Sequence, residues 1–289
     1  MNKNNSLLLE KHKDILSFRD LAPGTVATYI SYMSIYIKWV EEQLNSKELS
    51  AISWEEIRSY VRYLKDVKSL NPRTINVHIS QLRDFYYYVL HRDWDKHEVP
   101  LLHFDEHLPV VPSKEQVKAI IESIDNPKHK AEIALLYSSG IRVSELCRLH
   151  CGDIRRSSHT IYISKSKNRS DRYAILSDKA LCLLYSYVKN CYNGATQEDF
   201  LFPGRNGNHI SHESVRRIFH DSLVRLGLDG IGFNLHSLRH AFGLHLYAAG
   251  TDLMSIKEAM GHKSFSSTSV YLTLGIGNGR SVKSPYDSF

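Results

Sequence analysis

Nowhere does this chain approach the roughly 18 consecutive apolar residues that a membrane-spanning helix needs, although 42% of its 289 residues are hydrophobic. With 24% of residues charged, the composition is that expected of a soluble globular protein. The start, Met1 to Lys13, offers only Leu7, Leu8 and Leu9 before charge resumes. That is too short for the apolar core of a secretory signal, so the cytoplasm is the expected compartment. Cysteine is scarce. Cys147, Cys151, Cys182 and Cys191 contain no C-x-x-C pair that could close a tetrahedral zinc site, and reduced thiols are expected. No fixed-period repeat or low-complexity tract is present, so neither a repeat array nor a biased tail organises the chain. Proline is also sparse, eight in all, and Pro100, Pro109 and Pro112 fall together in a stretch, residues 98–113, that has lost its periodicity. Their fixed φ favours extended backbone, and the stretch reads as a linker.

A chain of this length exceeds the usual single domain, so two are expected. The boundaries read as a helical domain at 1–106, a linker at 107–113 and a larger domain at 114–289. Net charge is +6 with a pI near 9.0, which suggests a polyanionic partner. The excess is uneven: residues 1–107 hold 14 Lys+Arg against 15 Asp+Glu, whereas residues 108–289 hold 23 against 16. The electrostatic footprint therefore lies in the second half.

In the first half, residues 25–43, 53–68 and 72–92 repeat apolar and aromatic residues at three- and four-residue spacing, the pattern of amphipathic helices. Ser53 followed by Glu56 forms a capping box, and Pro72 sits at a first helical position. Helical periodicity returns over 113–124 and 127–138 and stops at Gly140. Residues 160–164 and 172–176 then alternate like strands around the polar segment KSKNRSD, so 153–176 predicts a small sheet ending in a basic hairpin. Helices follow over 211–226, 236–249, 252–261 and 266–274, with Gly250 and Gly261 at helix ends. The fold class is mainly α with a small β-sheet, in two domains.

Four elements of the second half carry residues suited to chemistry: GIRVSEL with Arg142 and Glu145, the hairpin lysines Lys165 and Lys167, LHSLRH with His236 and Arg239, and GHKSFSSTSVY with His262 and Tyr271. Their order resembles that of the tyrosine recombinase, or phage integrase, family, whose site comprises an Arg, a hairpin Lys, a His-x-x-Arg, a Gly-His and then a Tyr. His262 and Tyr271 stand nine positions apart, the spacing that family shows, and the resemblance runs from about Leu7 to Leu274. It implies a two-domain clamp on double-stranded DNA, a helical core-binding domain ahead of an α+β catalytic domain. It also implies a Xer-like enzyme that cuts and rejoins DNA through a 3′-phosphotyrosyl intermediate, acting in integration, excision or resolution.

The chemistry can be argued from the side chains themselves. Cleaving a phosphodiester builds negative charge on the non-bridging oxygens, and a guanidinium offers a permanently charged planar fork that matches them. Arg142 and Arg239 supply two forks; losing one preorganised donor from such a site costs about 10²–10³ in rate. Tyr271 as nucleophile would store bond energy for religation without ATP. At a pKa of about 10 only about one phenol in a thousand is ionised at pH 7, so a base and nearby cations must help. His236 is the candidate base, and His262 a hydrogen-bond donor to the phosphate. Aligning YAIL with the family's strand after the hairpin puts Lys167 in the role of acid for the leaving 5′ oxygen, with Lys165 the alternative. Glu145, three residues beyond Arg142, would orient it.

Taken singly, each residue has an ordinary reading: an Arg after a helix-ending Gly as a cap, the hairpin cations as a solvated tip, Tyr271 as one of 17 tyrosines. His236, His240 and His245 share a helix, and the i,i+4 pair His236/His240 could hold a metal, but no Glu follows in the H-E-x-x-H sense and no third ligand is evident. It is the joint occurrence that points to catalysis, without metal or nucleotide cofactor. The resemblance would place Thr25, Thr28, Tyr29, Arg73, Thr74, Asn76 and Arg83 on first-domain helices against duplex DNA, with Lys165, Arg169 and Arg172 on the hairpin as further expected contacts. Arg73, His78, Arg83 and Arg92 would supply local positive charge to the near-neutral domain. The resemblance further implies a homotetramer on paired sites, a monomer or weak dimer when free, and a place at the nucleoid. The chain departs from the family in having Ser166 and Asn168 where hairpin glycines are common, Ala241 and Gly243 after the Arg-His pair, and a tail, GIGNGRSVKSPYDSF, that forms helix poorly. Tyr286 in that tail is a remote second candidate for the nucleophile, and a non-catalytic DNA-binding regulator on the same fold is the alternative reading.

Overall fold

A computed structural model describes residues 3–105, 107–164, 171–205 and 207–277. The chain divides into two compact units, Met1–Glu106 and His107–Phe289. Among the described residues no helix is long and apolar enough to cross a membrane.

Among the described residues the first unit holds four α-helices, α1 (Lys3–Phe18), α2 (Pro23–Gln43), α3 (Trp54–Arg62) and α4 (Pro72–Tyr88). The Ser53–Glu56 capping box forms as the spacing suggests: the Ser53 side chain accepts from Glu56 N, and Glu56 Oε2 accepts from Ser53 N at 2.7 Å. A π-helical turn, Tyr63–Val67, extends α3. Asn71 caps α4 by accepting from Arg73 N at 2.8 Å, and Pro72 fills the first turn where no N–H is needed. An aromatic core joins α2, α3 and α4, with Tyr36 and Tyr86 sharing a buried hydroxyl contact of 2.9 Å. Helix α1 has no counterpart in the sequence reading, because two of its fully buried positions, Asn5 and His12, are polar and interrupt the apolar stripe that Leu16 belongs to.

In the second unit, α5 (Lys114–Glu122) and α6 (Pro127–Ser139) precede a single-turn helix, α7 (Val143–Leu146). Three short antiparallel strands follow in the order β1 (Ile154–Arg155), β2 (Thr160–Ile163) and β3 (Arg172–Ile175), with Ile163 opposite Arg172. Five α-helices follow among the described residues: α8 (Asp178–Cys191), α9 (His212–Arg225), α10 (Leu235–Ala248), α11 (Leu253–Met260) and α12 (Ser266–Gly277). Helix α6 is the hub. It packs on α5, α8, α9 and α10, and residues 131–136 are all buried, so it shows no one-sided periodicity. One of those residues is Glu132, which is fully inaccessible. Helix α10 lies between α6 and α12, and α11 touches both α12 and β3. These contacts bring the ends of α6 and α11, the start of β3 and the face of α10 to one place.

Candidate active site

Helix α6 stops at Gly140, whose φ of +62° is left-handed. The chain turns at once into α7, with Arg142 as the residue before its first turn. Glu145 reaches back and accepts from Arg142 N at 2.8 Å and from Arg142 Nη1 at 2.9 Å. Its two oxygens also accept from Arg172 Nη1 and Nη2 at 3.0 and 2.8 Å, a bidentate pair. Burial of the Glu145 carboxyl would raise its pKa, but Arg172 and Arg142 more than offset this and hold it low. Arg142 retains 22% side-chain exposure, against 12% for Arg172.

Arg239, on the inward face of α10, is 3% exposed. Its Nη1 donates to the Gly140 carbonyl and its Nη2 to the Met260 carbonyl at 2.6 Å. The guanidinium is thus pinned between the C-terminal ends of α6 and α11. Burial, and secondarily Arg142, lower its pKa to about 10, which leaves it charged at neutral pH. Gly261 ends α11 at φ +64°, and a Cβ there would lie 2.4 Å from Arg172 Nε. Both the backbone sign and the close approach require glycine.

Three histidines share this cationic place. His236 begins α10, where Asn234 caps the helix by accepting from His236 N at 2.8 Å. Its residue is exposed, yet desolvation of the ring by the protein around it, then Arg239 and Arg142, lower its pKa. His240 stands edge-on to His236 with ring centroids 4.8 Å apart, and burial with His236 and Arg239 takes it down to about 4. Its Nδ1 is buried and without a partner among the described residues. His262 Nδ1 meets Thr268 Oγ1 at 2.9 Å; burial, Arg239 and Arg142, and then the other two histidines, bring it to about 3. All three are neutral imidazoles at pH 7.

Tyr271 lies beside this group with no exposed surface. Its hydroxyl donates to Met260 Sδ at 3.5 Å, and its ring packs on the backbone of Gly243 so closely that a Cβ there would be 2.4 Å from Cζ. The absent side chain of Gly243 forms the seat for the tyrosine. Burial raises the phenol to about 12 despite Arg239, where only about one molecule in 10⁵ is ionised at pH 7. The ring of His240 lies 6.2 Å from that of Tyr271, and no hydrogen bond joins Tyr271 to His236 among the described residues.

The fold thus brings Arg142, Glu145, Arg239, His236, His262 and Tyr271 to one locus from four elements: α7, α10, the turn after α11, and α12. Lys165, Lys167, Arg169 and Tyr286 lie outside the described residues. Arg172, expected as a DNA contact, instead spends both terminal nitrogens on Glu145. Strand alternation could have revealed this, since Arg172 shares its face of β3 with buried Ala174. Thr268 was missed altogether. Among first-unit candidates, Thr28, Arg73 and Arg83 are exposed, and Thr25, Tyr29 and Thr74 partly so. Asn76 is different: its amide donates to Leu102 O at 2.8 Å and accepts from Leu102 N at 2.7 Å, so both its polar atoms are engaged in bracing the backbone. His78 is buried against Tyr60, and burial lowers it to about 4, so it carries no charge. Arg92 stacks 4.0 Å over Trp54 and donates to Ile52 O.

The profile described as "Phage integrase family" matches residues 111–275, and that described as "Phage integrase, N-terminal SAM-like domain" matches residues 8–96. Among named relatives, a "Putative integrase/recombinase y4qK" of Sinorhizobium fredii is 30% identical over 97% of this chain and 88% of its own. The "Tyrosine recombinase XerD" of Oceanobacillus iheyensis is 27% identical over 88% of each chain. Among solved structures, the Tn1549 transposon integrase in complex with transposon right end DNA superposes with a TM-score of 0.75 at 19% identity, over 97% of this chain and 96% of that one. The XerH recombinase bound to palindromic difH substrate, a post-cleavage complex, gives 0.74 at 20% identity over 90% and 79%.

Proposed function

The chain belongs to the phage integrase family, and from that premise we propose that it is a site-specific DNA recombinase that cleaves and rejoins double-stranded DNA through Tyr271. The phenol oxygen of Tyr271 attacks the scissile phosphorus and forms a 3′-phosphotyrosyl bond while the bond to the 5′ oxygen breaks. The phenol proton passes to His236, and a proton from Lys167 or Lys165 reaches the leaving 5′ oxygen. Arg142 and Arg239 hold the non-bridging oxygens as charge develops on them, and His262 adds a hydrogen bond. Glu145 holds Arg142 in place. Rejoining reverses the steps with the 5′ hydroxyl of a partner strand as nucleophile.

The observation that carries this reading is the convergence of two arginines and three neutral histidines beside a single tyrosine, from segments as distant as Arg142 and Tyr271. The buried seat of Tyr271 adds a condition. Its hydroxyl must leave Met260, and α12 must carry it toward the arginines, before it can react. Two recombination sites carrying four copies of the chain, assembled at the nucleoid, would let strands exchange in pairs.

Incubating the protein with a nicked suicide substrate tests the proposal: a protein–DNA adduct stable to denaturant is expected. An adduct that persists in Tyr271→Phe removes the assignment. Specific DNA binding with no cleavage under any condition would instead favour a regulator on this fold.

A further inference from the structure

The contact between His262 and Thr268 does more than pack a helix. Thr268 is fully buried in the first turn of α12, three residues before Tyr271, so both side chains lie on one face of that helix. A β-branched residue is not favoured in a helix for its own sake, and a buried hydroxyl left unpartnered is destabilising. Its recorded side-chain partner is His262 Nδ1, at 2.9 Å. The imidazole is neutral in this place, beside the cations Arg239 and Arg142 and the neutral rings of His236 and His240. It therefore has a single N–H, and which nitrogen carries it decides whether the ring can donate to a phosphate. If Nδ1 carried the proton, the Thr268 hydroxyl would have to accept, its own proton would be orphaned, and Nε2 would turn a lone pair toward an anion.

We propose that Thr268 is a positioning residue for His262: its hydroxyl donates to Nδ1 and so keeps the ring's one proton on Nε2, ready for a non-bridging phosphate oxygen. This rests on the recombinase reading for what Nε2 meets, but not for the tautomer itself. Because Thr268 shares a helix face with Tyr271, the seat of the nucleophile and the tautomer of the histidine are set by the same element.

Nitrogen-15 histidine spectra of the full chain, free of DNA, read the tautomer directly, with the His262 signal assigned by its loss in His262→Gln. The Nε2–H form is expected in the natural protein and in Thr268→Ser, and a mixture of tautomers in Thr268→Val, which keeps the shape and removes the hydroxyl. Single-turnover cleavage of the nicked substrate should fall about tenfold or more in Thr268→Val, the scale seen when a residue orienting a working histidine is removed. Thr268→Ser should stay within about threefold, and DNA affinity should be unchanged in both. A natural protein with Nδ1–H, or a Thr268→Val with unchanged tautomer and cleavage, would overturn the proposal. So would a Thr268→Ser as impaired as Thr268→Val. If Thr268→Val does not fold, the spectrum of the natural protein and the behaviour of Thr268→Ser still decide it. A natural protein that shows the Nε2–H form but never cleaves DNA would instead count against the recombinase reading alone.

Discussion

Replacing Glu132 by Gln should stabilise the second unit at neutral pH and flatten its pH dependence. Glu132 sits in the centre of α6 with no accessible surface, and neither carboxyl oxygen has a hydrogen-bond partner among the described residues. Burial, only partly countered by Lys128, raises its pKa from 4.5 to about 8. The folded chain therefore holds this proton more tightly than the unfolded chain. The associated stability is fully present below pH 4.5 and is lost progressively as pH rises toward 8. At about 1.4 kcal/mol per pH unit, the natural protein should lose about 2 to 3 kcal/mol relative to Glu132→Gln between pH 5 and pH 7. For a unit of this size that is about 5–10 °C in Tm. Thermal unfolding of both proteins at matched pH values, followed by circular dichroism, reads the gap directly. Two curves that stay parallel from pH 5 to pH 8 would show that Glu132 is ionised at no cost and that the reasoning from its burial is wrong.

Glu145→Ala removes the carboxylate that Arg142 and Arg172 share; both cations are partly exposed, so the cost lies below the about 3–5 kcal/mol of breaking a fully buried pair. A fall in Tm together with a loss of cleavage greater than tenfold is expected, with thermal unfolding and suicide-substrate assays as the readouts. Gly243→Ala pushes a methyl group into the Tyr271 ring, which should cost about 1–3 kcal/mol of overpacking, offset by about 1 kcal/mol of helix propensity. The displaced phenol should be nitrated faster than in the natural protein, as measured by peptide mass; unchanged nitration would mean that the seat does not hold it.

What the sequence made legible follows from which signals are local. Arg142, His236, Arg239, His262 and Tyr271 could be named because their order and spacing resemble those of a known family, and Arg142 and His262 follow within two residues of the helix-ending glycines Gly140 and Gly261, whose φ is left-handed. The roles of Arg172 and Thr268 depend on a strand register and on the turn between α11 and α12, which no short motif encodes. The family resemblance places Asn76 at DNA, and His78 reads as part of a local cluster of charge, whereas Leu102 and Tyr60 occupy their polar atoms. Helix α1 escaped notice for a related reason: Asn5 and His12 are polar residues on a buried face. Gly243 reads as a departure at a small cost to helix stability, and nothing in the sequence shows that the Tyr271 ring packs on it.

The most direct test of the central claim is to locate the covalent bond. The adduct formed on a nicked substrate can be digested with trypsin, which cuts after Lys263, Arg280 and Lys283 and so separates Tyr271 from Tyr286. A nucleotide-bearing phosphate on Tyr271, within the 264–280 peptide, is the predicted result. The same modification on Tyr286, on any other residue, or on none would contradict the account.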